Sequence, residues 1–168
     1  MSEICILYCL IKREMTIYSI RKHITELFGA YTKPSHGTIH PALKKLAAEN
    51  YVTVQTILSE GGKKSSLFSI AEKGKKLFAK LMLSDFSDNP SVSLNEINIR
   101  LAAMGALNSA DKKTLTEICK KYLELYIARN EYVINDTYSG LDDYQKKIML
   151  QTISYAKSLI KFTENLGV

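Results

Sequence analysis

Residues 33–46, Lys33-Pro34-Ser35-His36-Gly37-Thr38-Ile39-His40-Pro41-Ala42-Leu43-Lys44-Lys45-Leu46, bring together cations, hydroxyl and imidazole groups within a short span. Lys33, Lys44 and Lys45 can meet phosphate oxygens, and Thr38 and His40 can hydrogen-bond the edge of a base. A second basic pair, Lys63 and Lys64, follows beside Gly61 and Gly62. This is the chemistry of polyanion recognition. Catalysis has less support: the chain shows no Ser/His/Asp order, paired carboxylates, phosphate-cradling glycine loop or metal set. His36 and His40 stand at i, i+4 and could in principle hold a metal, but a stray pair on a nucleic-acid face is the better reading. No metal or cofactor is expected.

A helix must carry the first group. Pro34 pushes Lys33 out of the helical region, so a new element begins after it, and Ser35 is a good N-cap. With successive residues 100° apart, Ile39, Ala42, Leu43 and Leu46 share one side, which is core. The opposite arc holds Gly37, Pro41, Lys44 and Ala48, flanked by Thr38, His40 and Lys45. That outward face is small at its start, which permits close approach to a duplex, and basic further on. Pro41 removes the hydrogen bond to the Gly37 carbonyl and crowds that turn, so a bend or a loosened first turn is expected.

The elements around it follow from periodicity. Residues 3–12 read as a buried first helix. Thr16 caps a second over residues 17–28, with Ile17, Ile20, Ile24, Leu27 and Phe28 as its core face and Gly29 as its end. After the basic helix, residues 52–58 and 66–70 have strand character. The glycines and lysines of residues 59–65 form the turn between them, placing Lys63 and Lys64 at a hairpin tip suited to phosphate. A further helix is expected over 72–83, with Lys73, Lys75, Lys76 and Lys80 on its solvated face. Helix followed by basic hairpin is the order of a winged helix-turn-helix.

Bulk properties agree. The net charge of +6 is uneven: residues 1–82 hold 13 Lys and Arg against 6 Asp and Glu, and residues 83–168 hold 10 against 11. A basic half beside a near-neutral half suggests one part that meets polyanions and one that does not. Three cysteines, Cys5, Cys9 and Cys119, argue against a disulfide framework and for a reducing, cytoplasmic setting. Cys5 and Cys9 read as buried small apolar residues. The longest apolar run, residues 4–11, is far short of a membrane span, so no membrane partner is expected.

Ser35-His36-Gly37-Thr38-Ile39-His40-Pro41-Ala42-Leu43-Lys44-Lys45-Leu46 resembles the PadR family of bacterial winged-helix transcription regulators, whose pattern there is Ser-Pro-Gly-Thr-Ile-Tyr-Pro-Ala-Leu. Tyr18-Ser19-Ile20 is similar to the family's Tyr-Glu-Ile, and Ile70-Ala71-Glu72-Lys73-Gly74 to its Ile-Thr-Glu-x-Gly. The resemblance covers residues 4–82. It implies double-stranded DNA as partner, with Tyr18 a phosphate contact, and often a small aromatic effector. Tyr8, Tyr122, Tyr126 and Tyr155 are candidates to line a cavity for one, although tyrosines at such positions are mostly packing. The chain departs from the pattern at His36, at His40, which would add pH sensitivity near neutrality, and at Ala71, which replaces a capping Thr at a cost of about 1 kcal/mol.

Residues 84–91, polar and proline-containing, read as the break between a DNA-binding domain (1–84) and a helical domain (92–168). Helices are expected over 93–107, 110–137 and 142–165. On the last, Ile148, Tyr155, Leu159, Phe162 and Leu166 form one apolar stripe and Met149, Ile153, Ala156 and Ile160 a second. A helix apolar over so wide an arc needs partners on two sides. The resemblance implies that such helices pair two subunits, with Ile148, Tyr155, Leu159 and Phe162 at the interface. The expected architecture is mainly α with a small β-hairpin wing: a winged helix-turn-helix plus a C-terminal helical dimerisation domain. The expected function is that of a homodimeric, effector-responsive repressor. The alternative is a winged-helix protein-interaction module without DNA binding, against which Lys44, Lys45, Lys63 and Lys64 argue.

Overall fold

A computed structural model describes residues 1–58, 62 and 64–167, with His36 described through its backbone alone. The element order is α1 (Ser2–Lys12), β1 (Met15–Thr16), α2 (Ile17–Phe28), α3 (His36–Ala48), β2 (Val52–Leu58), β3 (Lys64–Ile70), α4 (Glu72–Met82), α5 (Pro90–Ala103), a 3-10 turn (Met104–Ala106), α6 (Ser109–Asn135) and α7 (Asp143–Glu164). The fold is mainly helical with one small antiparallel sheet, ordered β1-β3-β2.

The chain divides into two compact units, Met1–Leu107 and Asn108–Val168. The expected break at 84–91 therefore lies inside the first unit. The reason is α5, whose Ile97, Ile99 and Ala103 are buried and which packs on α1 and α2. This moves Asp85, Asp88, Glu96 and Arg100 into the first unit, which then holds 14 basic and 9 acidic residues.

The core of the first unit centres on α1, where Ile4, Cys5, Ile6, Leu7, Cys9 and Leu10 are all buried. A helix buried on most of its faces is apolar all round, and α2, α3, α4 and α5 pack about it. From α2 come Ile20, Ile24 and Phe28, and from α4 Phe78 and Met82. Tyr8 meets Phe28 edge-on with ring centroids 5.5 Å apart. Leu27, expected in the core, is exposed, because its neighbour Phe28 takes the inward position.

Capping explains most helix starts. The Thr16 side chain accepts from the Ser19 amide at 3.3 Å, as expected for α2. Asn89 caps α5 through the Ser91 amide at 3.1 Å, so that helix begins at Pro90, upstream of the expected 93, with proline in the first turn where its missing N–H costs nothing. α7 opens on a reciprocal capping box between Asp142 and Gln145.

The hairpin pairs Val52 with Ile70 through Leu58 with Lys64. Strand β3 begins two residues earlier than the 66 expected, and β1, not anticipated, adds a third strand through Met15 opposite Phe68 and Thr16 opposite Leu67. Gly74 stands where the start of α4 passes the turn between α3 and β2: a Cβ there would lie 2.2 Å from the Tyr51 carbonyl oxygen.

The second unit is an antiparallel helical hairpin. Leu115, Cys119, Leu123 and Ile127 are the buried residues of α6, and Ile153, Ala156, Leu159 and Thr163 those of α7. Among the described residues no helix is long and apolar enough to cross a membrane.

Candidate nucleic-acid interface

Helix α3 is seated by Ile39, Leu43 and Leu46, each essentially fully buried. Gly37, Thr38, His40, Pro41, Lys44, Lys45 and Ala48 are exposed, and Ala42 is half-buried. The inward and outward arcs read from the sequence are thus the arcs of the folded helix. Pro41 does not interrupt it. The first turn is tightened instead, since the amides of Thr38 and Ile39 both donate to the Ser35 carbonyl at 3.1 Å. The Gly37 carbonyl, deprived of the Pro41 amide, belongs to an exposed residue that water can reach.

Ser35 occupies the N-cap position but makes no capping bond with its side chain. Its hydroxyl lies 3.0 Å from that of Thr38 instead. That pairing restrains the Thr38 rotamer on the exposed face, and each hydroxyl retains capacity for another partner. Gly37 lies beside this pair, where an added Cβ would approach the Ser35 Oγ to 3.6 Å.

The two lysines of α3 differ. Lys45 Nζ donates to Glu3 Oε1 on α1 at 3.1 Å, and that hydrogen bond, with the carboxylate charge, raises its pKa. Lys44 projects from the exposed face with no ion pair among the described residues. The C-terminal end of α3 is met by Lys73, whose Nζ donates to the Glu49 carbonyl at 2.9 Å and lies over the Tyr51 ring at 4.6 Å. Lys73 is exposed, as expected, and also serves as a helix cap, because a cation complements the negative end of a helix.

Tyr18, in the first turn of α2, is 71% exposed. Lys33 precedes α3 and is exposed, while Pro34 beside it is buried. Lys64 is exposed at the start of β3, and Gly62 just before it has φ of 73°, the left-handed conformation glycine adopts freely. Lys63 and the His36 side chain lie outside the described residues. Tyr8 is occupied in aromatic packing in the first unit, whereas Tyr122, Tyr126 and Tyr155 belong to the second. Among the described residues no group of His, Cys, Asp or Glu is arranged to hold a metal.

An exposed helix face with small residues, hydroxyls and a cation, followed by a hairpin that carries Lys64, offers groups that a polyanion could meet. Residues 6–80 match the transcriptional regulator PadR-like family. This winged-helix part of the chain is similar to that family. Over 71 residues, 42% of this chain, it is 30% identical to the negative transcriptional regulator PadR of Bacillus subtilis, and the match spans 39% of that protein's length. Among solved structures, Bacillus subtilis PadR in complex with operator DNA aligns with a TM-score of 0.49 at 17% identity, covering 98% of this chain and 94% of that one. The smu.1604c protein of Streptococcus mutans aligns with a TM-score of 0.47 at 24% identity, covering 96% and 95%. The PadR-like motif also acquires a physical reading: Gly74 in it is the residue that lets α4 pass the Tyr51 backbone.

Proposed function

We propose that the chain is a homodimeric repressor that reads double-stranded DNA, placing α3 in a major groove and the β2–β3 hairpin against the neighbouring backbone. The observation that carries this reading is the exposed face of α3, where Gly37, Thr38, His40 and Lys44 stand outward while Ile39, Leu43 and Leu46 anchor the helix. Lys33, Lys44, Lys63, Lys64 and Tyr18 are assigned to phosphates, and Ser35, His36 and Gly37 to the close approach of the helix start. Thr38 and His40 are assigned to base edges. Lys45, engaged by Glu3, is left out. Repression is favoured by the partial relative, a negative transcriptional regulator.

The test begins with selection of a duplex from a random-sequence library, followed by anisotropy titrations over a range of salt. Selection should enrich one two-fold symmetric sequence. Lys44→Ala with Lys64→Ala should then weaken binding to selected and unrelated duplex alike and flatten the salt slope by about two units. An unchanged slope removes those lysines from the interface. No enrichment, with no binding at low salt, overturns the DNA reading and favours a protein-interaction module.

A further inference from the structure

Helix α5 lies beyond the residues that match the PadR-like family, yet its side chains grip the backbone of the first unit at separate places. Asn95 Nδ2 donates to the Tyr31 carbonyl at 2.9 Å, in the loop between α2 and α3. Glu96 Oε2 accepts from the Ser87 amide at 3.1 Å. Arg100, only 3% exposed, donates from Nη1 to the carbonyls of Met82 and Ser84. Its Nη2 donates to Ser84 Oγ and the Asp85 carbonyl, each at 3.2 Å, and the guanidinium lies over the Phe86 ring at 4.4 Å. The last carbonyls of α4 carry the negative end of that helix, so a buried guanidinium is stabilised there. Arg100 thus rivets α5 to α4.

The loop ahead of α3 is otherwise held at its start, where the amides of Tyr31 and Thr32 both donate to the Phe28 carbonyl at 2.8 Å. Asn95 reaches the same loop from outside the helix-turn-helix. We infer that Asn95 is a positioning residue for DNA reading: α5, riveted by Arg100, holds the Tyr31 carbonyl and with it the loop that aims α3. The inference rests on the proposed function and adds a residue to it that lies outside the winged helix.

Asn95 is exposed, so water can replace its bond when the side chain is cut back, and folding should lose little. The freed loop must then be ordered when α3 docks, which charges the cost to binding. The test uses the full chain, Asn95→Ala and Asn95→Leu, the latter of similar shape without the donor. Titrations against the selected duplex and an unrelated one, over a range of salt, are run beside thermal melting. Both variants should lose about fivefold in affinity for the selected duplex. The salt slope should stay the same, because no phosphate contact is lost, and the melting midpoint should move by less than about 2 °C. Unchanged affinity in both variants overturns the inference, as does an affinity loss accompanied by an equivalent loss of stability or equal on both duplexes. Wild-type protein that binds neither duplex overturns the DNA reading itself, so the two failures are told apart.

Discussion

Burial pushes the Cys5 thiol from its ordinary 9.0 up to about 12 and the Cys9 thiol up to about 11. Desolvation is the main cause at both, because a thiolate would have to form inside the apolar shell around α1. Below pH 9 both thiols are protonated in folded and unfolded chains alike, and they contribute no pH dependence. Above pH 9 the unfolded chain releases protons that the folded one retains, so stability falls as pH rises from 9 to about 11 for Cys9 and about 12 for Cys5. Denaturant midpoints measured from pH 8 to pH 11 should fall more steeply for the wild type than for a Cys5→Ala, Cys9→Ala variant, and parallel curves would remove the thiols from this role. At the same scale, residue types alone placed Gly37, Thr38, His40 and Lys44 on the exposed face, since a helix of known phase leaves only one outward arc. Which lysine stays available was not legible, because the partner of Lys45 is Glu3, 42 residues away in sequence.

Among the elements, α2 and α3 were legible because their cores recur at helical spacing and their starts carry Thr16 and Ser35. The third strand was not, since two residues have no periodicity and β1 exists only through its pairing with β3. The start of α4 is decided by a close approach. The Ala71 amide donates to the Tyr51 carbonyl at 3.0 Å, and a Cβ at Gly74 would meet that same oxygen at 2.2 Å and Ile70 Cγ1 at 2.9 Å. Backbone cannot yield as a flexible side chain does. Gly74→Ala should therefore destabilise the first unit by about 2 kcal/mol in urea unfolding, even though alanine is the better helix former. A stabilised variant would show that α4 can shift away from Tyr51 without penalty.

For the whole molecule, the second unit leaves apolar surface uncovered. Ile148, Tyr155 and Phe162 lie seven residues apart along α7 and are 66%, 40% and 51% exposed. Leu159, grouped with them in the sequence reading, is already buried, and Ile153 and Ala156 of the second stripe are buried as well. A seven-residue apolar spacing on an exposed helix face is what a packed helix partner requires. If a second copy covers it, Ile148→Glu with Phe162→Glu should turn a dimer into a monomer in sedimentation velocity. The selected duplex should then bind far more weakly, because two recognition helices would no longer be held at one spacing. A wild-type chain that sediments as a monomer overturns the dimer proposal.

Local physics, carried by the sequence itself, determined helix α3, its exposed chemistry, the hairpin and the basic bias of the N-terminal half. Turn residues, caps and apolar phase act over a few residues and need no partner to be read. Tertiary packing decided the rest. On α6, Leu115, Ile118, Tyr122, Leu125, Tyr126 and Val133 recur at helical spacing, yet of these the structure buries only Leu115, in a row with Cys119, Leu123 and Ile127, and leaves Leu125 exposed. It likewise placed α5 in the first unit, where Ile97 and Ile99 find a core and Arg100 finds the carbonyls at the end of α4. A helix apolar on several sides has no preferred inside until a neighbour removes one side from water.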